Sequence, residues 1–149
     1  MEWTESDVAF VRAQRLARMA TVGRGGEPHV VPVCFAFDGA SFYTATDQKP
    51  KGVPPEALRR LQNLRRDASV ALLLDQYRED WSRLRYLLVR GEARFVEDPE
   101  ERERAFRLLE EKYTQYREAR LQDAGWPLIR IVPRRVHRWR AAEEAPGRP

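Results

Sequence analysis

Lys49 and Lys51 stand on either side of Pro50, directly behind the strand-like run Ser41-Phe42-Tyr43-Thr44-Ala45-Thr46. They are two of only three lysines in a chain that otherwise uses arginine for its cations. Two compact ammonium groups, with the hydroxyls of Thr44 and Thr46 just ahead of them, make a strand end suited to holding an anion such as a phosphate. Other chemistries find little support. Cys34 is the one cysteine, so no internal disulfide forms, and its apolar neighbours Val33 and Phe35 read as packing and not as a nucleophile's surroundings. His29 and His137 lie too far apart in sequence to suggest a metal site. Gly23, Gly25 and Gly26 fall in a turn between two strands, which excludes a dinucleotide-binding glycine loop.

Those residues have to be positioned by a single soluble domain. The chain has 149 residues, 42% apolar and 34% charged, which suits one domain spanning 1–140, followed by a tail at 141–149 rich in Pro, Glu and Ala and expected to be disordered. Against 23 acidic residues stand 27 basic ones, a net charge of +4, and the sequence pI is near 9.6, a balance that favours anionic partners. No apolar run reaches the length of a membrane span and the N-terminus does not read as a signal sequence, so a cytoplasmic protein with no membrane partner is expected.

Thr4 followed by Glu5, Ser6 and Asp7 opens a helix predicted to run from about residue 5 to about 17, with Val8, Val11 and Leu16 near helical spacing. Strands are predicted at 18–23, 28–37 and 41–46, the last two joined by Asp38-Gly39, and Pro32 marks the second as an edge or a bulge. Val53-Pro54-Pro55-Glu56 opens a helix whose Leu58, Leu61 and Leu64 share a face. Two further strands, 69–74 and 86–96, flank a loop in which Tyr77 and Trp81 are exposed candidates for contact. A helix follows from Asp98 until Gly125 and Pro127 stop it, with Lys112, Tyr113 and Tyr116 inside it, and a last strand runs from Leu128 to Trp139. Early and late antiparallel hairpins with interspersed helices fit a small β-barrel better than a doubly wound sheet.

Arg18-Met19-Ala20-Thr21-Val22, Pro28 to Phe35, Phe42 to Lys51 and Leu61 to Asp67 together resemble the FMN-binding split barrels related to pyridoxamine 5′-phosphate oxidase. Asp47-Gln48-Lys49-Pro50-Lys51 and Tyr77-Arg78-Glu79-Asp80-Trp81 make it most similar to the actinobacterial branch of coenzyme F-420 (deazaflavin) dependent enzymes. The resemblance implies a mainly β fold with helices, a six-stranded antiparallel split barrel, and a homodimer with the cofactor in a groove at the subunit interface. It implies that Thr44, Ala45, Thr46, Lys49 and Lys51 hold the cofactor phosphate, assisted by Arg59 or Arg60. It further implies that Pro32, Val33 and Cys34 line the ring and that Tyr77 and Trp81 contact the ring or the tail from the second subunit.

The resulting expectation is a hydride-transferring oxidoreductase acting on a small unsaturated or conjugated substrate, with F-420 as cofactor and FMN as the alternative. No metal is expected, and the catalytic proton donor stays open among Tyr43, Tyr77 and a bound water. Pyridoxamine phosphate oxidases carry an Arg and His segment after their last strand. Here Arg135-Val136-His137 imitates its spelling inside the strand, so vitamin B6 oxidation is not expected. Two other classes remain as alternatives: a non-catalytic flavin or haem carrier on the same fold, and a nucleic-acid-binding barrel. The second is disfavoured, because the acidic residues between Glu97 and Glu111 interrupt any basic stripe.

Overall fold

The computed structural model describes residues 1–46, 58–119 and 125–141. Lys49, Lys51, the predicted helix start at Val53 to Glu56 and the tail from 142 onward lie outside those residues. Helix α1 (Glu5–Ala13) is followed by β1 (Ala17–Val22), β2 (Pro28–Val33), β3 (Ala36–Phe37) and β4 (Phe42–Ala45). Then come α2 (Arg59–Arg66), β5 (Ser69–Gln76), β6 (Arg85–Phe95), α3 (Pro99–Lys112), α4 (Thr114–Ala119) and β7 (Leu128–Arg140). The strands form one seven-stranded sheet in the order β2-β1-β5-β6-β7-β4-β3, with every neighbouring pair antiparallel.

The strand predicted over 28–37 is two strands, which is why the sheet has seven and not six. β2 lies at one edge and β3 at the other, yet only Cys34 and Phe35 separate them in sequence. Two residues bring the edges within roughly 10 Å of each other, so the sheet has to curl into a barrel that stays split along this seam. Pro32 lies in edge strand β2, the kind of strand that tolerates a residue without an N–H.

Inward residues of alternate register fill the barrel. Met19, Leu72, Leu74, Leu87, Val89, Ile129 and Ile131 pack with Phe35, Phe37 and Phe42, and Phe10, Val11, Leu61 and Leu64 of α1 and α2 join the same cluster. A second cluster joins Ala105, Phe106, Leu109 and Tyr113 of α3 to Ala36, Tyr43, Ala45, Trp126 and Leu128. Between Arg90 and Gly91 the β6–β7 register slips, and a Cβ on Gly91 would meet the Val132 carbonyl oxygen at 2.3 Å, so only glycine fits that bulge. The β3–β4 turn has Asp38 accepting from the N–H groups of Ala40 and Ser41 (2.8 and 2.7 Å), with Gly39 at φ 103°.

Both predicted helix ends move inward. Helix α1 begins at its capping box, Thr4 with Asp7, but ends at Ala13 because the backbone turns extended at Gln14. From Ala17 onward the backbone is committed to pairing with β2, which leaves Leu16 outside the helical stripe. Helix α3 stops at Tyr113 instead of continuing to 125, since that residue takes extended angles (φ −125°, ψ 110°). No helix among the described residues is long and apolar enough to cross a membrane.

Candidate functional site

The seam is held by two side chains, Tyr113 and Thr44. The buried Tyr113 hydroxyl accepts from the Phe35 N–H (3.1 Å) and is within donor reach of the carbonyls of Arg15 (2.8 Å) and Phe35 (3.1 Å). Burial first of all pushes this phenol up to about 12. Thr44 donates its hydroxyl to the Cys34 carbonyl (2.8 Å), tying β4 to the crossing segment. Beside the seam opens a pocket of about 310 Å³, lined by Leu16, Pro32, Val33, Cys34, Ala45, Leu58, Arg60 and Tyr116.

Five of the residues expected to hold cofactor, Pro32, Val33, Cys34, Ala45 and Arg60, thus line one pocket. Its wall is apolar with a single guanidinium, and β2 is an edge strand whose outer rank of backbone groups faces no other strand among the described residues. Such a wall suits a flat, largely apolar ring with polar edges. Thr44 and Thr46 sit on the strand end that borders it. The Thr44 hydroxyl is committed to Cys34, whereas Thr46 is 1% exposed and its hydroxyl finds no partner among the described residues.

Arg59 faces a different cleft. With Arg24, Arg65, Arg66, Glu27, Gln62 and Asn63 it lines a polar hollow of about 650 Å³ between α2 and the β1–β2 turn. Arg66 donates to the Val22 carbonyl (2.9 Å) and Asn63 to the buried Thr21 hydroxyl (3.0 Å), which fixes α2 against β1. The first turn of α2 therefore connects the apolar pocket, through Leu58 and Arg60, with an arginine-rich cleft, through Arg59.

The remaining expectations lie elsewhere. Tyr77 and Trp81 project from the β5–β6 connection, 59% and 68% exposed, and do not line the pocket. Tyr43, a candidate proton donor, is buried, and its hydroxyl donates to Glu101 (3.0 Å), which also takes Arg130 (3.3 Å). Burial and that carboxylate together raise its pKa. Among the described residues no group of His, Cys, Asp or Glu is placed to hold a metal ion.

Sequence reasoning placed Lys112 and Tyr113 only as a continuation of a helix. Lys112 Nζ lies 3.6 Å from the centroid of the Phe35 ring at the seam. A signal was available, because Lys112 is the one lysine outside the 49–51 loop in an arginine-dominated chain.

Similarity to known proteins agrees with this architecture. The chain is 30% identical over 143 residues to the 5a,11a-dehydrotetracycline/5a,11a-dehydrooxytetracycline reductase of Streptomyces rimosus, covering 93% of this chain and 84% of that protein. It superposes on the conserved hypothetical protein Rv2991 of Mycobacterium tuberculosis with a TM-score of 0.74 at 28% identity, covering 93% of this chain and 86% of that one. The haem storage protein HutZ of Vibrio cholerae shares the fold at 17% identity (TM-score 0.73, covering 92% and 94%), as does a structure described as an F420 reductase at 19% (TM-score 0.64, covering 91% and 98%). The pyridoxamine 5′-phosphate oxidase profile matches residues 4–140, nearly the whole described length, and the chain is a member of that family.

Proposed function

We propose that the protein is an F-420-dependent reductase that transfers a hydride to a small unsaturated or conjugated compound. The observation that carries this reading is the adjacency of two hollows across the first turn of α2: the apolar seam pocket and the arginine cleft. A deazaflavin with a phosphodiester and an oligoglutamate tail has the matching polarity, with a flat ring at one end and a run of negative charge at the other. The 30% identical relative being a reductase of a dehydro compound supports the same reaction class.

In this reading Pro32, Val33, Cys34, Ala45 and Leu58 enclose the ring and exclude water from one of its faces, while Arg60 and Arg59 lead the acidic tail into the cleft. Thr46, Lys49 and Lys51 hold the phosphate. When bound, the deazaflavin supplies the hydride, so the protein's part is orientation and the exclusion of solvent.

The active form is read as a homodimer. On the outer sheet face, register aligns Leu73 with Leu88, and Tyr86 stacks on Trp139 with centroids 5.5 Å apart. Val30, 59% exposed, lies on the same face, and a second copy would cover this half-exposed apolar surface. Tyr77 and Trp81 are then contacts to the partner's cofactor.

Side-by-side calorimetric titration with F-420 and with FMN at one salt concentration tests the reading. Tight F-420 and weak FMN binding is expected, and the Lys49→Ala, Lys51→Ala double variant should lose about 2–4 kcal/mol of F-420 affinity while folding normally. Preference for FMN would sink the deazaflavin assignment.

A further inference from the structure

The seam pocket has a charge behind its wall that no role yet uses. Lys112 closes α3, and its ammonium lies 3.6 Å from the Phe35 ring centroid and 5.4 Å from that of Tyr113. The guanidinium of Arg15, from the link between α1 and β1, lies 4.7 Å from the same Tyr113 ring. Two cations therefore share one aromatic platform, and among the described residues no carboxylate is paired with either. The groups that face Lys112 are Arg15, the Tyr113 phenol and the Cys34 thiol of the crossing segment. Glu110 and Glu111 precede it on its own helix. Cys34 is also pocket wall, so the field of the ammonium that reaches Cys34 reaches the edge of the pocket.

Lys112 is half-buried beside the exposed Arg15, and a half-buried ammonium with a second cation next to it gains when an anion arrives. The residue type points the same way. Arginine serves at nearly every other cationic position of this chain, whereas a lysine amine is the cation that can give up its proton at an accessible pH. Burial first, then Arg15, push the Lys112 amine down to about 8, with the Cys34 thiol acting in the opposite direction.

Resting on the deazaflavin reading above, we propose that Lys112 is a positioning charge of the seam pocket: from behind Cys34 and Phe35 its ammonium, with Arg15, favours the ring in its anionic form. The 8-hydroxyl of such a ring is an acidic phenol whose negative charge spreads over the conjugated system, so a fixed cation beside the wall stabilises the ionised form over the neutral one. Lys112 touches no reacting atom in this scheme and acts on the electrostatics of the bound ring.

The test titrates wild type, Lys112→Met and Lys112→Arg with F-420 from about pH 6 to about pH 9.5, reading affinity together with the absorption spectrum of the bound cofactor, which separates phenol from phenolate. Wild-type affinity should fall about tenfold as the pH rises through 8, the size of one partly screened charge nearby. Lys112→Met, which keeps the stem, should bind about tenfold more weakly near neutrality, show no such fall, and hold less phenolate at the acid end of the range. Lys112→Arg should stay tight to the alkaline limit. A packing role alone would lower the melting temperature of Lys112→Met and leave the spectrum and the pH profile as in wild type; that result overturns the proposal while F-420 binding itself stands. Wild-type protein that binds no F-420 overturns the proposal together with the reading beneath it.

Discussion

Two clusters of cations flank opposite ends of α1, and among the described residues only one of them is paired with a carboxylate. At its N-terminal end the buried Asp7 takes Arg85 (3.2 Å) and Arg138 (2.8 Å) while completing the capping box with Thr4. Burial would raise this carboxyl, but the Arg138 hydrogen bond and the Thr4 contacts outweigh it and hold the pKa below its ordinary value. Just beyond the other end, Arg15 and Lys112 share Phe35 and Tyr113 with no carboxylate paired among the described residues. The compensated cluster binds α1 to β6 and β7. The other, without a paired carboxylate among the described residues, borders the pocket, where an anionic ligand can supply the countercharge.

Breaking the compensated cluster should have the largest effect. Asp7→Asn leaves two guanidiniums facing a neutral group and weakens the helix cap, and urea unfolding should show a loss of about 3 kcal/mol. A loss under about 1 kcal/mol would mean that Arg85 and Arg138 find water at no cost. Because the folded pKa of Asp7 is lowered, its contribution is present above the ordinary value of 3.8 and disappears as the pH falls through the lowered one, so this part of the acid denaturation should vanish in the variant.

At the seam, Tyr113→Phe strands the buried Phe35 N–H and should cost about 1–3 kcal/mol by the same assay. It should also loosen the wall on which Cys34 stands, seen as faster exchange of the Phe35 amide; unchanged exchange would count against the clamp. Thr44→Val removes one bond to the Cys34 carbonyl, with an expected loss of about 1 kcal/mol.

The last test separates the two clusters most directly. The folded pKa of Lys112 is about 8 against an ordinary 10.5, so between those values the unfolded chain binds more protons and stability should rise with pH. Unfolding measured at both ends of that interval should show this rise in wild type and its absence in Lys112→Met. A rise of equal size in the variant would assign it to another group.

Much of the frame was legible because it rests on local rules. Thr4 with Asp7 announces a capping box, Asp98-Pro99 a helix start, and Asp38-Gly39 a tight turn, each within four residues of sequence. Period-2 burial in β5, with Val70, Leu72 and Leu74 inward, follows from the pleat. The division of residues 28–37 was not legible. An uninterrupted apolar run reads the same whether it stays in one edge or passes from one edge to the other, and Cys34-Phe35 carries neither Gly nor Pro to mark the crossing.

The sequence by itself determined which residue types were on offer: a threonine-rich strand end, an arginine-bearing helix, an apolar edge strand with Pro32. Tertiary structure decided which of them meet. Curling of the sheet brings Pro32, Val33 and Cys34 against Ala45 and Arg60, turns Arg59 into the neighbouring cleft, and sets Tyr113 and Lys112, almost eighty residues after Phe35, at the seam. The physical reason is range. Capping, turn chemistry and pleat act over a few residues, whereas the closure of a barrel depends on the whole sheet's twist and on which side chains can share one interior.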